Sequence, residues 1–335
     1  MPRRIGIIGF RGYSGAELVQ ILGRHSGVET ILMEHRQDVE NRPEPIGRPG
    51  LRRIPATAEA AAAESLALVF LATPAEVSMD LAPKLVEKGV KTVDLSGAFR
   101  LKTVENYAKW YKEEHVAADL LAEAAYSVPE FHRSLVPGAR LISNPGCYPT
   151  AANLALRPLV AAGLVDRSAG IVCDAKSGVS GAGRKASLKT SFCEVTENFS
   201  AYSILDHRHV PEILMTSGLE EREFSFTAQL IPIDRGILET LYFRVNPGVT
   251  AERILDVYQA AYAQETFVRL YKPGQVPDLH AVRRTNFCDI GFKFDAATGR
   301  IVVVSVIDNL VKGAAGQAIQ NMNLALGFPE QESLL

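Results

Sequence analysis

The chain has 335 residues, of which 47% are hydrophobic and 22% charged, and its formal net charge is −2 at pH 7. This composition is typical of a soluble globular protein and excludes a disordered or fibrous chain. The near-neutral charge argues against nucleic acid or an anionic membrane surface as a partner. The length exceeds what one hydrophobic core usually supports, so the sequence predicts two domains.

Targeting signals and disulfides are not evident in the sequence. The apolar run in the first ten residues is too short for a signal peptide, and no run approaches the roughly 20 apolar residues of a membrane span. The four cysteines, Cys147, Cys173, Cys193 and Cys288, have neither CxxC pairing nor zinc-ligand spacing. This usage fits a reducing compartment, and we expect a cytoplasmic protein.

The first half of the chain alternates apolar runs with helical patterns. Residues 4–9 predict a strand, a tight turn follows, and the spacing over 17–22 predicts a helix. Unbroken apolar runs predict further strands at 29–34, 66–72 and 90–95. Buried strands that alternate with helices form a parallel sheet covered on both faces. The predicted fold class is therefore α/β, with a Rossmann-type doubly wound parallel sheet.

The second half has a different pattern. A turn-rich bend at 144–149 precedes a predicted helix at 150–162, and strands follow at 170–175, 224–231, 240–245, 287–294 and 300–307. These predict a second α+β domain with a mixed or antiparallel sheet. A last helix, at 313–326, is expected to return to the first domain. We set the domains at 1–147, completed by 312–335, and at 148–311.

A glycine-rich turn follows the first predicted strand. Gly9, Gly12 and Gly15 bracket Tyr13 and Ser14, where backbone N–H groups and a helix N-terminus could approach a pyrophosphate. The spacing is GxxGxxG rather than GxGxxG, so a plain structural turn remains an alternative.

Two other segments bear on the nucleotide. Thr73 and Pro74 end another predicted strand and are expected to line the same crevice. The end of the second strand carries Glu34, which favours ribose hydroxyls, and then Arg36 and Arg42, which favour a 2′-phosphate. The balance favours NADP only weakly, and solvated surface charge is the alternative.

Cys147 lies between two prolines, directly before a predicted helix. The dipole of a helix N-terminus favours a thiolate, which indicates a nucleophile. A buried structural role, the usual one for a lone cysteine, fits Cys173 and Cys288 in their apolar runs, and Cys193 is left unassigned.

The segment from Asp206 to Glu212 gathers two histidines and carboxylates. His209 could relay a proton while Glu212 orients its ring, which completes the nucleophile, base and orienter set of covalent catalysis. A metal site at His207 and His209 is the weaker alternative because no third ligand has the right spacing, so no metal is expected.

The loop at 176–185 is dense in glycine, serine and positive charge. Its N–H groups, hydroxyls and Arg184 or Lys185 could hold a phosphate or a carboxylate. A mobile surface loop is the alternative interpretation.

Together these segments resemble the N-acetyl-γ-glutamyl-phosphate reductases, relatives of aspartate-semialdehyde dehydrogenase, nearly end to end. The resemblance rests on six motifs in the same order, which are GFRGYSGAEL (9–18), DLSGAFRL (94–101), SNPGCYPT (143–150), KSGVSGAGRK (176–185), HRHVPEI (207–213) and DNLVKGAAGQAIQNMN (308–323). It implies NADPH-dependent reduction of the acyl phosphate to N-acetylglutamate 5-semialdehyde through a cysteine thioester, in arginine biosynthesis. It also implies that the second domain is catalytic and forms a dimer or tetramer.

The resemblance implies that Cys147 is acylated and that His209, supported by Glu212, is the general acid/base. Asn309 and Gly316 are implied to contact the nicotinamide end of the cofactor. The full expected cofactor set is Gly9, Gly12, Tyr13, Ser14, Gly15, Arg36, Thr73, Pro74, Ser177, Gly178, Asn309 and Gly316. The expected substrate set is Arg100, Asn144, Ser180, Gly181, Arg184 and His207.

The sequence departs from the family pattern at two places. Gly97 and Ala98 stand where alanine and aspartate are common, a change that is expected to leave catalysis intact. The loop at 34–50 is unusual and arginine-rich, and it bears on cofactor preference and substrate size. An equivalent reductase acting on an aminoadipyl phosphate in lysine biosynthesis is therefore the alternative. A cysteine hydrolase and a non-enzymatic dinucleotide sensor are rivals from other classes; the glycine turn argues against the first and Cys147 against the second.

Overall fold

The structure, a computed structural model, describes residues 2–34 and 50–335. The chain divides into two compact units. The first comprises Met1–Val104, Glu114–Asn144 and Ala318–Leu335, and the second comprises Glu105–Glu113 and Pro145–Gln317.

Fourteen strands lie in the described residues and form one sheet in each unit. The strands of the first unit are β1 (Arg3–Ile8), β2 (Val28–Glu34), β3 (Arg53–Pro55), β4 (Leu68–Leu71), β5 (Lys91–Asp94), β6 (Ala125–Tyr126) and β7 (Leu141–Ser143). The strands of the second are β8 (Ile171–Ser177), β9 (Ser200–Tyr202), β10 (Phe224–Leu230), β11 (Ile237–Arg244), β12 (Val268–Leu270), β13 (Cys288–Asp295) and β14 (Arg300–Ile307).

Eleven α-helices accompany these strands in the part of the chain that the structure describes. They are α1 (Tyr13–Leu22), α2 (Ala58–Ala63), α3 (Ala75–Glu87), α4 (Val104–Tyr111), α5 (Ala118–Glu123), α6 (Pro129–His132), α7 (Cys147–Ala161), α8 (Phe192–Val195), α9 (Val210–Ser217), α10 (Ala251–Tyr262) and α11 (Gly316–Leu326). Between 2–34 and 50–335, none of these helices is long and apolar enough to cross a membrane.

The sheet of the first unit is parallel throughout, with strand order β3-β2-β1-β4-β5-β7-β6. The central strand β4 is buried at every residue and reads LVFL, as is typical of a strand covered by helices on both faces. The chain leaves β1 toward one edge and resumes at β4 toward the other. The carboxyl ends of β1 and β4 therefore form the switch point at which such sheets bind ligands.

The second sheet is mixed, in the order β12-β13-β14-β11-β8-β10-β9. Only the pairs β12–β13 and β8–β10 are parallel within this sheet as described. Alternation along β8 and β11 buries one face and leaves the other more exposed, as expected for strands covered on one side. This sheet ends at β9, which pairs only through Ser200–Tyr202.

Helix α7 packs on the buried face of the second sheet. Eleven of its 15 residues are buried. Ser305 of β14 donates a 2.9 Å hydrogen bond to the carbonyl of Ala151, and Tyr258 and Tyr262 of α10 donate to the carbonyls of Ala155 and Leu154 at 2.5 Å. Hydrogen bonds from two sides thus fix the position of the helix that begins with the candidate nucleophile.

The predicted fold class is confirmed: a doubly wound parallel sheet in one unit and a mixed sheet in the other. The long apolar strands lie where the sequence predicted them, while five short ones, β3, β6, β7, β9 and β12, were not predicted because two or three residues give no periodicity. The predicted helix at 313–326 is in fact a π-helical turn, Val311–Ala315, followed by α11.

Candidate active site

Cys147 is the first residue of α7, rather than the residue before it. Gly146 occupies the N-cap with an extended backbone and, since it has no side chain, supplies no side-chain cap to the helix. The hydroxyl of Thr150 closes the turn by donating to the Gly146 carbonyl at 2.9 Å. The thiol, which is half-buried, therefore lies at a helix N-terminus, where the helix dipole favours negative charge.

Glu212 holds the residue before the cysteine. Its side chain is fully buried in the first turn of α9, and its Oε2 accepts a 2.9 Å hydrogen bond from the N–H of Gly146. Glu212, which the sequence suggested as an orienter of the His209 ring, thus fixes the turn that carries Cys147.

The two histidines lie in an aromatic cluster with the residue after the cysteine. The ring of Tyr148 meets the rings of His207 and His209 edge-to-face, with centroids 5.4 and 5.9 Å apart. Phe226 packs against both Tyr148 and His207. The Tyr148 hydroxyl lies 3.0 Å from that of Tyr202 on β9. The fold therefore brings Cys147, His207 and His209 into one neighbourhood, with Tyr148 as the common contact.

The charge states in this cluster follow from burial. Burial lowers the pKa of His207 to about 4, helped by the positive charge of Arg208. Its Nδ1 accepts the N–H of His209 at 3.2 Å, which is the role of a neutral ring. Burial likewise raises the pKa of Tyr202 to about 12 and that of Tyr148 further. His207 and both phenols are therefore neutral at physiological pH.

The π-helical turn packs directly against the nucleophile. A Cβ added at Gly313 would lie 2.8 Å from the Cβ of Cys147, so this position allows only glycine without displacement. Asp308 holds the start of the turn by accepting the N–H groups of Leu310 and Val311 at 2.9 and 3.2 Å. π-Helical turns are rare and are frequent at functional sites.

The glycine- and serine-rich loop is ordered by its neighbours. The N–H groups of Gly178 and Ser180 donate to the carbonyls of Gly236 and Asp234 at 2.9 and 3.0 Å. Asn309 links the two sides: its Nδ2 donates to Ser180 Oγ at 3.0 Å and its Oδ1 accepts the N–H of Gly236 at 2.7 Å. The loop next to β8 is therefore fixed by backbone pairing.

Three other expected site residues, Gly181, Arg184 and Gly316, differ in how closely they are packed. A Cβ at Gly181 would lie 2.9 Å from Ser177 Oγ, whereas Arg184 is exposed. Gly316, at the start of α11, faces Asn286, whose Oδ1 would be 2.3 Å from an added Cβ. Asn309 and Gly316 are thus both closely packed within the second unit.

In the first unit, the glycine turn has the backbone geometry that its sequence suggested. Gly9 has a φ of +83°, and a Cβ there would lie 2.2 Å from the carbonyl oxygen of Ala72. A Cβ at Gly15 would lie 2.2 Å from the Gly9 oxygen, while one at Gly12 would have 3.4 Å. Gly12 is the N-cap of α1, so the helix starts at Tyr13, four residues before the predicted start.

The other expected nucleotide residues of this unit lie at the same sheet edge. Thr73 follows β4 and its hydroxyl lies 2.9 Å from that of Ser78, and Pro74 caps α3. At the end of β2, Glu34 pairs with Arg11 at 2.9 Å and with Arg53 at 3.3 Å. Arg36, the residue expected to bind the 2′-phosphate, and Arg42 lie outside the described residues.

Arg100 and Asn144, expected to bind substrate, are buried in the first unit. Arg100 donates from Nε to the Asn144 carbonyl at 3.0 Å and from Nη2 to the Leu95 carbonyl at 2.9 Å. The Asn144 side chain accepts from Asn321 at 3.2 Å. These hydrogen bonds hold in place Leu95, which follows β5, and Asn144, which follows β7.

Sequence reasoning missed Tyr148, Tyr202, Gly313 and Arg11. The place of Tyr148 beside Cys147 was a usable signal, and so was Arg11 inside the glycine turn. Nothing in the sequence links Tyr202 or Gly313 to the cysteine, because only the fold brings them together. In residues 2–34 and 50–335 no three His, Cys, Asp or Glu side chains are grouped to hold a metal ion.

Two family models match the chain. Residues 4–139 match the semialdehyde dehydrogenase NAD binding domain, and residues 147–309 match the semialdehyde dehydrogenase dimerisation domain. Among solved structures, an aspartate semialdehyde dehydrogenase II from Vibrio cholerae is similar with a TM-score of 0.74 at 18% identity, over 98% of this chain and 99% of that one. At this identity the likeness establishes the fold alone.

Curated relatives are much closer in sequence. An N-acetyl-gamma-glutamyl-phosphate reductase from Symbiobacterium thermophilum is 46% identical over 100% of this chain and 98% of its own length. One from a Geobacillus species is 46% identical over 99% of this chain and 98% of its own. Identity of this degree over both full lengths confirms the resemblance found in the sequence, and the chain belongs to the N-acetyl-gamma-glutamyl-phosphate reductase family.

Proposed function

We propose that this chain is an NADPH-dependent reductase that converts N-acetyl-γ-glutamyl phosphate to N-acetylglutamate 5-semialdehyde and phosphate in arginine biosynthesis. The substrate follows from the name that its relatives share. The equivalent reaction on an aminoadipyl phosphate, in lysine biosynthesis, is the alternative because the arginine-rich loop departs from the family pattern. The near-neutral charge and the cysteine usage fit a cytoplasmic enzyme with a small-molecule substrate.

The observation that carries the proposal is the setting of Cys147. Cys147 is the first residue of a helix, and Glu212 accepts a hydrogen bond from the N–H of the preceding glycine. Tyr148, the next residue, contacts the rings of both His207 and His209. A thiolate is the nucleophilic form of cysteine, and a helix N-terminus favours it. The N–H groups of the helix N-terminus could stabilise the oxyanion that forms when the sulfur attacks a carbonyl.

The reaction then runs in two stages on the protein. Cys147 sulfur attacks the acyl carbon, the C–O bond to phosphate breaks, and a thioester forms while phosphate leaves with a proton from solvent. When bound, the nicotinamide supplies the hydride that reduces this thioester. His209 protonates the thiohemiacetal oxygen as charge develops there. It takes the proton back when the C–S bond breaks, which releases the aldehyde and regenerates the thiolate.

The first unit fits the dinucleotide. The backbone at Gly9 and Gly15 passes so close to carbonyl oxygens that neither position has space for a side chain. A tight glycine turn of this kind before a helix N-terminus is what a pyrophosphate needs to approach the backbone N–H groups. Arg11 and Arg53 flank Glu34 at the end of β2, where the 2′-phosphate of NADP would lie. Two guanidinium groups at this position support NADP as the cofactor.

Roles for the other residues follow from these placements. We assign Thr73, Pro74 and the 9–15 turn to the cofactor, and Ser180, Gly181 and Arg184 to the anionic substrate. The first unit, with the C-terminal residues of α11, is then the dinucleotide-binding domain and the second unit is catalytic. The match to a dimerisation domain supports a homo-oligomer assembled through the second unit.

The reverse reaction tests the proposal. Purified protein is mixed with N-acetylglutamate semialdehyde, inorganic phosphate and NADP, and NADPH formation is followed by absorbance. We expect turnover that requires phosphate and is faster with NADP than with NAD. The aminoadipate homologue of the aldehyde is the matched control. A preference for that longer aldehyde would replace the substrate assignment, and turnover without phosphate would contradict the acyl-phosphate chemistry.

A further inference from the structure

A small cavity lies at the β9 edge of the second sheet. Its volume is about 250 Å³, and it is lined by Lys189, Glu194, Val195, Asn198, Ser200 and Leu230. Four of these side chains are polar and two are aliphatic, a combination typical of pockets that bind small molecules. The volume is below that of most such pockets, so it suits one end of a small metabolite.

The cavity lies on the same face of the sheet as the candidate nucleophile. Leu230 of β10 pairs with Ser200 of β9. Phe226, four residues before Leu230 on the same strand, points to the same face because strand side chains alternate. The ring of Phe226 packs against Tyr148 of α7, with centroids 5.3 Å apart. The cavity and the helix that begins with Cys147 therefore share this face.

Tyr202 links the cavity to the surroundings of the sulfur. The Nζ atom of Lys189 lies 4.7 Å from the centre of the Tyr202 ring, where a cation is attracted to the ring face. The hydroxyl of the same ring lies 3.0 Å from that of Tyr148. Burial and, to a smaller extent, the negative charge of Cys147 raise the pKa of Tyr202 to about 12, so the sulfur lies near this phenol.

The wall that carries the charged groups is folded. Lys189 lies in a 3₁₀ turn, Leu188–Thr190, and Glu194 lies in α8. The Nδ2 atom of Asn198 donates to the Glu194 carbonyl at 2.9 Å. The backbone therefore presents Lys189 and Glu194 to the cavity from fixed positions.

The two charges in the cavity have opposite signs and do not pair with each other. Among residues 2–34 and 50–335, neither Lys189 nor Glu194 has an ion-pair partner. A simple anion such as phosphate would be attracted by the ammonium and repelled by the carboxylate. The cavity instead suits a ligand with one anionic group and one neutral N–H donor, which a carboxylate can accept.

We propose that this cavity holds the amino-acid end of the substrate, an N-acylated α-amino acid. Lys189 pairs with the α-carboxylate, Glu194 accepts the amide N–H, and the acetyl methyl group meets Val195 and Leu230. The inference rests on the proposed function, in which the acyl carbon is bonded to Cys147. Two methylene groups separate that carbon from the α-carbon, so the charged end of the substrate lies a few bonds from the sulfur.

The carboxylate contact is tested by the reverse reaction with two aldehydes. One is N-acetylglutamate semialdehyde, and the other is 4-acetamidobutanal, which is the same molecule without its α-carboxylate. In Lys189→Met we expect the KM for the first to rise about tenfold, since a charge-assisted contact is lost. Its kcat should stay within about threefold, because the contact is equal in the ground and transition states.

The second aldehyde shows whether Lys189 contacts the carboxylate. Its KM should change less than about twofold in Lys189→Met, because the group that pairs with the lysine is missing. Lys293→Met, at an exposed position of β13, is the matched control and should behave as the native protein with both aldehydes. An equal rise in KM for both aldehydes, or a rise for neither, would overturn the carboxylate contact.

Glu194→Ala tests the amide contact. Both aldehydes carry the acetamide group, so the KM for 4-acetamidobutanal should rise roughly fivefold, as for the loss of one hydrogen bond to a charged acceptor. An unchanged KM for this aldehyde would overturn the role of Glu194. Lys189 and Glu194 are both exposed, so neither variant should disturb folding, and circular dichroism checks this.

Direct binding separates failure of this inference from failure of the proposed function. The affinity for N-acetylglutamate, which needs no turnover, is measured by ligand-detected NMR titration of the native protein and of Lys189→Met. We expect about tenfold weaker binding in the variant. That result in a protein without phosphate-dependent turnover would overturn the proposed function and leave the cavity assignment standing. Equal affinity in the two proteins would overturn the cavity assignment, whatever the activity.

Discussion

The nucleotide turn of the first unit and the cysteine site of the second are built in different ways. The turn depends on backbone contacts, because a Cβ at Gly9 or Gly15 would lie 2.2 Å from a carbonyl oxygen. Both glycines lie within seven consecutive residues. The cysteine site depends on side chains from α7, β9 and α9 and on the close approach of Gly313 in the π-helical turn, and these elements are separated by up to about half the chain.

This difference predicts how each site responds to substitution. A site formed by the backbone keeps its function when a glycine that has space for a Cβ is replaced, and loses it when the replaced glycine has no such space. A site made by side chains from several elements fails when one group is lost, and also when a distant element shifts the nucleophile. The following variants test this contrast, from the largest expected effect to the smallest.

Cys147→Ala should lower the rate of the reverse reaction by at least ~10³-fold, because no thioester can form without the sulfur. NADPH binding, measured by quenching or transfer of its fluorescence, should stay within a few-fold of the native value because the glycine turn is intact. Cys193→Ala is the matched control and should retain turnover. Near-normal turnover in Cys147→Ala would rule out covalent catalysis at this residue.

Gly15→Ala should abolish measurable NADPH binding, since the new methyl group would lie 2.2 Å from the Gly9 oxygen and must displace the turn. Overpacking of this kind costs about 1–3 kcal/mol of stability. Gly12→Ala, with 3.4 Å to the nearest atom, should bind NADPH with less than a few-fold change. Titration of each variant with NADPH checks the pair, and equal losses in both would contradict a backbone-defined turn.

Gly313→Ala should reduce kcat by roughly 10–100-fold while leaving NADPH affinity unchanged. Its Cβ would lie 2.8 Å from that of Cys147, so the nucleophile must move, and a displacement near 1 Å is enough for a loss of this size. Gly138→Ala, which has open space around it, is the control. Steady-state kinetics of both variants measures the effect. An unaltered kcat in Gly313→Ala would contradict an influence of the π-helical turn on the cysteine.

Glu239→Gln should change the dependence of stability on pH and leave kcat nearly unaltered. The Glu239 carboxyl is fully buried on β11 near Cys173, and burial raises its pKa well above the usual value. The unfolded chain releases this proton above about pH 4.3, whereas the folded chain keeps it. Stability is therefore lost as pH rises from the unfolded pKa toward the folded one, by at most about 1.4 kcal/mol per pH unit.

Urea unfolding of native protein and Glu239→Gln between pH 5 and 8 measures this effect. The native protein should lose stability more steeply with rising pH than the variant, and the gap should widen toward pH 8. Parallel curves would mean that the carboxyl ionises in the folded state without cost. Glu252→Gln, at an exposed helix start, serves as a control because its pKa is lowered rather than raised.

Much of the first unit could be predicted from the sequence because its signals are local. The strands β1, β2, β4 and β5 are continuous apolar runs, and the glycine turn follows β1 within three residues. The role of Cys147 was also suggested locally, by its place before a helix. Its exact position as the first helical residue was not, since Pro149 in the first turn made the helix seem to begin later.

The sequence by itself determined the fold class, the glycine turn and the identity of the candidate nucleophile, because each depends on residues that are neighbours in the chain. Only the tertiary structure decided that Glu212 holds the Gly146 N–H, that Gly313 touches Cys147, and that Tyr202 meets Tyr148. These contacts join residues between 54 and 166 positions apart, counting from Tyr148 to Tyr202 and from Cys147 to Gly313. Contacts at such separation arise from the packing of whole elements, which no local pattern encodes.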